Sequence, residues 1–357
     1  MKKVFILINH FQIPDGVART AVGLANELAT REDIEVTLCS IFKFDNKMLS
    51  WLNPRIKTKR FFGFYFRGFA KLVDLIPDSL LYKMLVTKKY DVEIGFCMEL
   101  PIKIIAASKS NARKFAWMHG YDKGLTLLDC YKKMEKTVNV SREGADRFVA
   151  ETNGTIASDY CYNLVDDNKV RRMGEEEISL KKTDAVTFTA IGRLEKGKGI
   201  KRLIECAARL KNEGYNLALW LVGDGEQRPE LEEVTRKLNM QDCVHFLGTQ
   251  ANPHAYSAKA DVLVCASYSE GYSTVCTEAI MLGTPVITTC VNGAKEIIAD
   301  AECGIMTQMD DESLYLGLKQ VLDNPELISQ WRETLKTTKE RFSYKERAGK
   351  LWKILDL

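Results

Sequence analysis

The sequence predicts an α/β protein of two doubly wound domains that face each other across a cleft. Its 357 residues exceed one ordinary domain and fit two. Short apolar runs without alternation, typical of parallel strands covered on both faces, alternate with helical patterns in two blocks. A polar stretch, residues 163–184, separates the blocks. Because such open sheets bind ligands at the carboxyl ends of their strands, we expect the functional loops to follow strands.

The first block opens with a strand, "KVFILIN" (3–9). A Pro-Asp-Gly loop and an amphipathic helix from Ala18 to Ala29 follow it. Four later runs have the same buried-strand character: "EVTLCSI", "DVEIGF", "KFAWM" and "KTVNVS". We expect this first domain to span residues 1–165.

The second block predicts five strands: "AVTFTAIG", "LALWLVG", "VHFLG", "DVLVCAS" and "PVITT". It predicts helices over 200–211, 227–238 and 274–283. Residues 163–184 lack periodicity, which indicates a connection between the domains. We expect the second domain to span 166–336 and a terminal helical segment, 337–357, to pack back on the first domain.

Composition narrows the class of protein. The chain is 46% hydrophobic and 28% charged with a net charge of +3, which is typical of a globular protein with a sizeable core. Its ten cysteines form no Cys-x-x-Cys pair and its four histidines show no zinc-ligand spacing, so we expect reduced cysteines and a cytoplasmic protein. The first apolar run is too short for a signal peptide, and the sequence predicts no membrane-spanning helix.

One loop has the chemistry of a phosphate site. "AIGRLEKGKGIKRLIE" (190–205) leaves a strand and enters a helix, and it carries Arg193 and Lys198 among glycines. Glycines let the backbone approach a phosphate, and two cations add charge. A solvated basic loop is the alternative. The spacing is not that of a P-loop, and no Gly-x-Gly-x-x-Gly follows the first strand.

Two glutamates flank the start of a predicted helix in "SYSEGYSTVCTEAIMLGTPVITT" (267–289). Glu270 falls in the loop after a strand, and Glu278 lies in the first turns of the helix. Ser273 and Thr274 are suitable N-caps, and the amides of a helix start suit a diphosphate. Each carboxylate can accept hydrogen bonds from a vicinal diol, so the pair suits two sugars joined by a diphosphate. The alternative is a surface residue and a capping charge.

The region resembles the retaining nucleotide-sugar glycosyltransferases of family 4, also called group 1, which have the GT-B fold of two facing Rossmann-like domains. The family's Glu-x7-Glu motif matches Glu270 and Glu278, its Gly-Arg-x-x-x-x-Lys-Gly motif matches "GRLEKGKG", and a later motif matches "NGAKEII". The resemblance implies that Arg193 and Lys198 bind the diphosphate, Glu270 the donor sugar and Glu278 the ribose. The implied donor-binding residues are Gly16, Arg193, Lys198, Glu270, Gly271, Tyr272, Ser273, Thr274, Val275 and Glu278.

The first domain resembles the family more loosely. "NHFQIPDGVARTAVGLANEL" is similar to the first strand, glycine loop and helix, with Gly16 at the helix start. "FAWMHGYD" resembles an aromatic-x-His motif, which implies that His119 lies near the donor sugar. "YNLVD" (162–166) resembles the domain junction. The first domain is then the acceptor-binding domain and the second the donor-binding domain.

The resemblance implies transfer of a sugar from a nucleoside-diphosphate donor, UDP-sugar in the first instance, to a hydroxyl of a glycan or lipid-linked acceptor in cell-surface polysaccharide synthesis. Configuration at the anomeric carbon would be retained. The implied catalytic residues are Glu270, His119, Arg193 and Lys198. No Asp-x-Asp motif lies in a donor loop, so neither a metal nor another cofactor is expected. The alternatives are an inactive nucleotide-sugar-binding subunit and an epimerase on the same fold.

A basic and aromatic stretch, "RIKTKRFFGFYFRGFAKLV" (55–73), has six basic residues, six aromatics and no acid. This composition suits the headgroup layer of an anionic membrane, which would place the protein on the inner face of the cell membrane. The alternative is that these aromatics fill the core of the first domain. Single-stranded nucleic acid is disfavoured as a partner, because the donor motifs account for the rest of the chain.

Overall fold

A computed structural model describes residues 1–11, 16–66, 68–97, 99–120 and 125–357. The chain divides into two compact units. Unit 1 comprises Met1–Leu164 and Arg347–Leu357, and unit 2 comprises Val165–Glu346.

Unit 1 contains a seven-stranded, wholly parallel sheet in the order β3-β2-β1-β4-β5-β6-β7. Its strands are β1 (Lys2–Ile8), β2 (Ile34–Ser40), β3 (Lys57–Arg60), β4 (Val92–Phe96), β5 (Arg113–Met118), β6 (Lys136–Asn139) and β7 (Ser158–Tyr160). The five strands predicted for this domain are confirmed. β3 and β7 were not predicted: they are edge strands, "KTKR" and "SDY", whose partial exposure removes the apolar run.

The helices of unit 1 cover the faces of its sheet. They are α1 (Gly16–Leu28), α2 (Phe69–Val73), α3 (Asp78–Leu85), α4 (Leu100–Ala106), α5 (Leu128–Tyr131) and α6 (Arg142–Glu151), with a 3-10 turn at Asn46–Trp51. The predicted amphipathic helix corresponds to α1, which buries Leu24 and Leu28.

Unit 2 contains a six-stranded parallel sheet in the order β10-β9-β8-β11-β12-β13. Its strands are β8 (Val186–Ile191), β9 (Leu217–Val222), β10 (Val244–Gly248), β11 (Val262–Cys265), β12 (Val286–Thr289) and β13 (Ile305–Thr307). The five predicted strands are confirmed, and β13 is an additional edge strand. The chain order reverses between the neighbours β8 and β11, which is the position where open α/β sheets bind ligands.

The helices of unit 2 are α7 (Asp167–Gly174), α8 (Ile200–Asn212), α9 (Arg228–Lys237), α10 (Pro253–Lys259), α11 (Thr274–Met281), α12 (Ala294–Ala301), α13 (Asp311–Asp323) and α14 (Glu326–Thr338), with 3-10 turns at Lys196–Lys198 and Lys339–Phe342. The three helices predicted for this domain are confirmed to within two residues at each end. Among the described residues, no helix has both the length and the apolar character needed to cross a membrane.

Residues 163–184, which the sequence indicates as the connection between the domains, contain a helix, α7, that was not predicted. α7 forms there because the Asp166 carboxylate caps it by accepting from the Lys169 amide at 2.9 Å. A Cβ on Gly174 would lie 2.3 Å from Leu282, so α7 packs closely within unit 2. Its polar sequence lacks a wide apolar face because Val170 alone supplies a large buried apolar side chain.

The last helix, α15 (Tyr344–Leu355), crosses the boundary between the units. Its end is bonded within unit 1: the Trp352 indole donates to Glu27 at 2.6 Å, and Arg113 donates to the Leu355 carbonyl at 2.5 Å. Lys350 forms an ion pair with Asp159 at 2.7 Å. These bonds attach residues 347–357 to α1, β5 and β7.

Candidate active site

Two loops of unit 2 meet at the carboxyl edge of its sheet, where β8 and β11 are neighbours. One loop leads from β8 to α8, and the other leads from β11 to α11. Gly199, which has a φ of +64°, lets them approach: a Cβ there would lie 2.0 Å from the Ala266 carbonyl oxygen. Any other residue at position 199 would push the loops apart.

The close approach creates an ion pair. Lys198 Nζ lies 2.8 Å from Glu270 Oε1, and Ser267 Oγ donates to the same oxygen at 2.6 Å. The Lys198 side chain is 30% exposed and that of Glu270 17%, so the pair is partly shielded from water. Burial acts to lower the pKa of Lys198, but the charge and hydrogen bond of Glu270 outweigh it, and the pKa is raised. Lys198 is therefore a cation at neutral pH.

Arg193 lies in the same loop but takes no part in this ion pair. Its guanidinium lies 3.3 Å from Glu195, and its side chain is 65% exposed. Of the two cations predicted from the motif, the structure brings Lys198 to Glu270 and leaves Arg193 at the surface.

Glu278 lies in α11 and is buried, with 7% exposure. The Ser273 hydroxyl caps this helix by accepting from the Cys276 amide at 3.3 Å, as predicted for an N-cap. Glu278 Oε2 lies 3.8 Å from His254 Nδ1, on α10. A lone histidine carries no motif, so sequence reasoning missed His254.

The turn before α11 contains the predicted residues Gly271, Tyr272 and Ser273, and the loop after β12 holds it in place. Asn292 donates to the Gly271 carbonyl at 2.7 Å. Tyr272 is buried, and a Cβ on Gly293 would lie 2.6 Å from its ring. The "NGAKE" motif therefore shapes this turn through its Asn and Gly.

Arg202, which was not predicted to be a functional or structural residue, supports the loop after β11 by hydrogen bonds to its carbonyls. It is 2% exposed. Its guanidinium donates to the carbonyls of Ala266 at 3.0 Å, Ser267 at 3.2 Å and Met309 at 2.6 Å. It also lies 3.9 Å from the centre of the Tyr268 ring. A buried arginine here satisfies carbonyls that a strand end leaves without ladder partners.

Arg202→Met should lower the free energy of unfolding by about 2–4 kcal/mol, because the carbonyls of Ala266, Ser267 and Met309 lose a charged donor. Urea unfolding measures this loss. Lys201→Met is the matched control, since the neighbouring Lys201 side chain is 47% exposed; it should change stability by less than about 0.5 kcal/mol. Equal stability of the two variants would show that Arg202 does not support the loop.

The predicted residues of unit 1 are His119, which directly follows a strand, and Gly16, which begins a helix. His119 follows β5, with Nδ1 3.5 Å from the Thr20 hydroxyl and its ring 4.5 Å from that of Phe96. Burial lowers the pKa of His119 to about 3, so its imidazole is neutral at physiological pH. Gly16 is the first residue of α1, and Asp15 lies outside the described residues.

The family that matches this chain matches it within unit 2. Residues 174–338 match the family described as glycosyl transferases group 1. Unit 2 is a group 1 glycosyltransferase domain. Over 183 residues the chain is 33% identical to the N-acetylgalactosamine-N,N'-diacetylbacillosaminyl-diphospho-undecaprenol 4-alpha-N-acetylgalactosaminyltransferase of Campylobacter jejuni, covering 51% of this chain and 48% of that protein.

The similar proteins fall into those that match over about half of their length and those that match over their whole length. The chain spans about half the length of several curated relatives, as with the Campylobacter glycosyltransferase, of which it covers 48%. An uncharacterized glycosyltransferase of Haemophilus influenzae is 23% identical over 99% of both chains. Anabaena Alr3699/HepE, solved in complex with UDP, superposes with a TM-score of 0.79 over the whole of both chains at 17% identity. This likeness shows the fold, which is the two-domain α/β architecture called GT-B.

Within the described residues, no group of three or more His, Cys, Asp or Glu side chains is arranged to hold a metal ion. In unit 2, the side chains of Lys198 and Arg193 and the N-terminal end of the α11 dipole could offer positive charge to a diphosphate.

Proposed function

We propose that the chain transfers a sugar from a nucleoside-diphosphate sugar, with UDP as the nucleotide, to a hydroxyl of a glycan or lipid-linked acceptor, with retention at the anomeric carbon. The observation that carries the proposal is the Lys198–Glu270 ion pair, which lies where the sheet of a group 1 domain reverses its strand order. HepE is described in complex with UDP, and the Campylobacter relative is named for a diphospho-undecaprenol acceptor.

The donor would be held at two points. Glu278 is a buried carboxylate and suits the two hydroxyls of the ribose, which it would bind by charged hydrogen bonds. The amides of Thr274 and Val275 lie at the positive end of the α11 dipole and would meet the diphosphate. Glu270 would accept from hydroxyls of the donor sugar. Gly16 would give the backbone room near the donor.

The reaction breaks the bond from the anomeric carbon to the diphosphate oxygen and forms the acceptor bond on the same face. The acceptor hydroxyl proton passes to the departing phosphate oxygen. Lys198 and Arg193 stabilise the negative charge that grows on this oxygen, and such preorganised charge is usually the largest catalytic contribution. Glu270 already accepts hydrogen bonds from Lys198 and Ser267. It therefore acts as a hydrogen-bond acceptor and not as a covalent nucleophile. His119, neutral at physiological pH, would hydrogen-bond to the donor sugar.

Treatment with EDTA should leave turnover largely unchanged, because two side-chain cations supply the charge that a metal ion supplies in other transferases. Turnover is compared before and after EDTA and again after adding Mg²⁺ or Mn²⁺. A loss that either metal restores would mean that the diphosphate is bound in another way.

The proposed function is tested with UDP-, GDP- and ADP-sugars, first by thermal shift and then by release of nucleoside diphosphate with detergent-solubilised membranes as acceptor source. The expected result is transfer from a UDP-sugar, with an anomeric coupling constant in the product that shows retention. Binding without transfer would favour an inactive nucleotide-sugar-binding subunit. Conversion of the sugar to an epimer would favour an epimerase.

A further inference from the structure

Exposed large apolar side chains are concentrated in one segment of unit 1. Fifteen such side chains are exposed among the described residues, and seven of them lie between residues 64 and 84. They are Phe64, Tyr65, Phe66, Leu72, Leu75, Leu80 and Met84. Leu75 is 80% exposed, the largest value of the seven. Exposed apolar side chains in this concentration mark an interaction surface. We call residues 64–84 the exposed segment.

The aromatic part of the exposed segment is fixed in place. Phe69 is half-buried against the core of unit 1, and the rings of Phe64 and Phe66 each lie 4.9 Å from it. Tyr65 packs edge-on against His10 at 4.7 Å. Through these contacts the three exposed rings lie on the half-buried Phe69 and on His10, at the surface of unit 1.

The helical part presents a second apolar face. α3 buries Leu81 and Leu85, and leaves Leu80, Lys83 and Met84 exposed. Spacings of three and four residues place these last three on one side of the helix. The exposed face of α3 is thus apolar with a cation in its middle, as in helices that lie in a membrane interface.

The charges around these side chains are mainly positive. From 64 to 89 the sequence has five cations (Arg67, Lys71, Lys83, Lys88 and Lys89) and two carboxylates (Asp74 and Asp78). Lys71, Lys83, Lys88 and Lys89 are exposed, and Arg67 lies outside the described residues. Asp74 is paired with Lys103 at 2.7 Å. An anionic surface would therefore meet uncompensated cations.

The exposed surface lies further along the chain than the stretch predicted from the sequence, 55–73. Its first cations are engaged within unit 1: Arg55 donates to the Ala29 carbonyl at 3.0 Å, Lys57 pairs with Glu35 at 2.5 Å and Lys59 donates to Thr87 at 2.8 Å. Phe61, Phe62 and Phe69 pack on the core, as the alternative interpretation held for all the aromatics. The exposed apolar surface begins at Phe64 and continues into α3.

We propose that the exposed segment docks unit 1 on the surface of an anionic lipid bilayer, with the aromatic and leucine side chains in the headgroup layer and the lysines at lipid phosphates. Cations interleaved with apolar side chains complement this surface. A second copy of the chain fits less well, because a two-fold interface would set this positively charged segment against the identical, equally positive segment of its partner. The proposal rests on the proposed function only in that a lipid-linked acceptor would be met at this surface.

The test is co-sedimentation of the full chain with vesicles of phosphatidylglycerol and phosphatidylethanolamine in equal parts, against phosphatidylcholine vesicles. Lys71→Glu with Lys83→Glu should lower the partition constant on the anionic vesicles by more than about tenfold at low salt. Leu72→Ser with Leu75→Ser should remove the part of binding that high salt leaves intact. The charge control is Lys237→Glu with Lys336→Glu, two exposed lysines of unit 2, and the apolar control is Leu316→Ser.

We expect the parent and both controls to sediment strongly with anionic vesicles. The two variants of the exposed segment should lose this sedimentation. Absent sedimentation, equal sedimentation with phosphatidylcholine, or segment variants that bind like the parent would each overturn the proposal. A parent dimer that the leucine variant dissociates, seen by sedimentation velocity, would also overturn it in favour of self-association.

UDP affinity and UDP release from UDP-sugar in detergent solution, measured on the same variants, keep the two proposals apart. Both should match the parent, which also shows that unit 2 of each variant is folded. Thermal melting followed by circular dichroism checks that unit 1 of each variant is also folded. If vesicle binding fails while UDP release persists, the docking surface is wrong and the proposed function stands. If the protein binds vesicles but turns over no nucleotide-sugar, the docking surface stands and the proposed function is wrong.

Discussion

Replacing Lys198 by alanine should lower kcat by about a hundredfold or more, with a smaller change in the KM for the donor. Lys198 is held as a cation beside Glu270, and negative charge on the diphosphate grows as its bond to the sugar breaks. An interaction that strengthens in the transition state acts on kcat more than on KM. Initial rates of nucleoside diphosphate release over a range of donor concentrations separate the two constants.

The matched control is Lys196→Ala, which removes the same charge from an exposed position of the same loop. Its kcat should stay near that of the parent. Arg193→Ala should lower kcat less than Lys198→Ala, since Arg193 is 65% exposed and solvent screens its charge. If Lys198→Ala changes KM alone, Lys198 is a ground-state binding residue.

The raised pKa of Lys198 adds a pH dependence. A lysine whose pKa is raised keeps its charge to higher pH than an ordinary lysine and loses it as the pH rises through the raised value. Catalysis that depends on this cation should therefore persist throughout the neutral range and decline only in strongly alkaline solution.

Glu278→Ala should weaken UDP binding by roughly tenfold to a hundredfold, because a charged, two-point hydrogen bond to the ribose is lost, about 1.5–3 kcal/mol. The carboxylate is buried in α11, so water does not replace it readily. Isothermal titration of UDP measures the loss. Glu205→Gln, on the exposed side of α8, is the control and should bind UDP like the parent.

The ribose assignment has an independent check. 2′,3′-Dideoxy-UDP lacks the two hydroxyls and should bind the parent as weakly as UDP binds Glu278→Ala. Removing carboxylate and hydroxyls together should cost little more than removing either, because the two losses describe one interaction. Additive losses would mean that Glu278 contacts another part of the ligand.

The fold could be predicted where burial leaves a mark on the sequence. The inner strands of both sheets are covered on both faces and read as continuous apolar runs. The edge strand β3 carries charged residues because one side is solvated, so its pattern is that of a loop. α7 was missed because its packing depends on a small residue, Gly174, and not on an apolar stripe.

The candidate site, too, could be predicted only where the sequence carries a local pattern. Motif spacing named Lys198 and Glu270, but their contact depends on how closely two loops approach at Gly199, which no local pattern encodes. Arg202 is in the polar "KR" pair of a helix start and looks solvent-exposed in the sequence. It is buried because carbonyl oxygens beyond β11 turn toward it.

The central claim is that the carboxyl edge of the unit 2 sheet binds a nucleoside-diphosphate sugar at both its diphosphate and its ribose. Calorimetric titration of the full chain with UDP-glucose, UDP and glucose 1-phosphate tests it most directly. The account predicts that UDP and UDP-glucose bind, that glucose 1-phosphate binds far more weakly, and that Glu278→Ala weakens the first two only. Failure of UDP- and other nucleotide-sugars to bind, or glucose 1-phosphate binding as tightly as UDP-glucose, would contradict it.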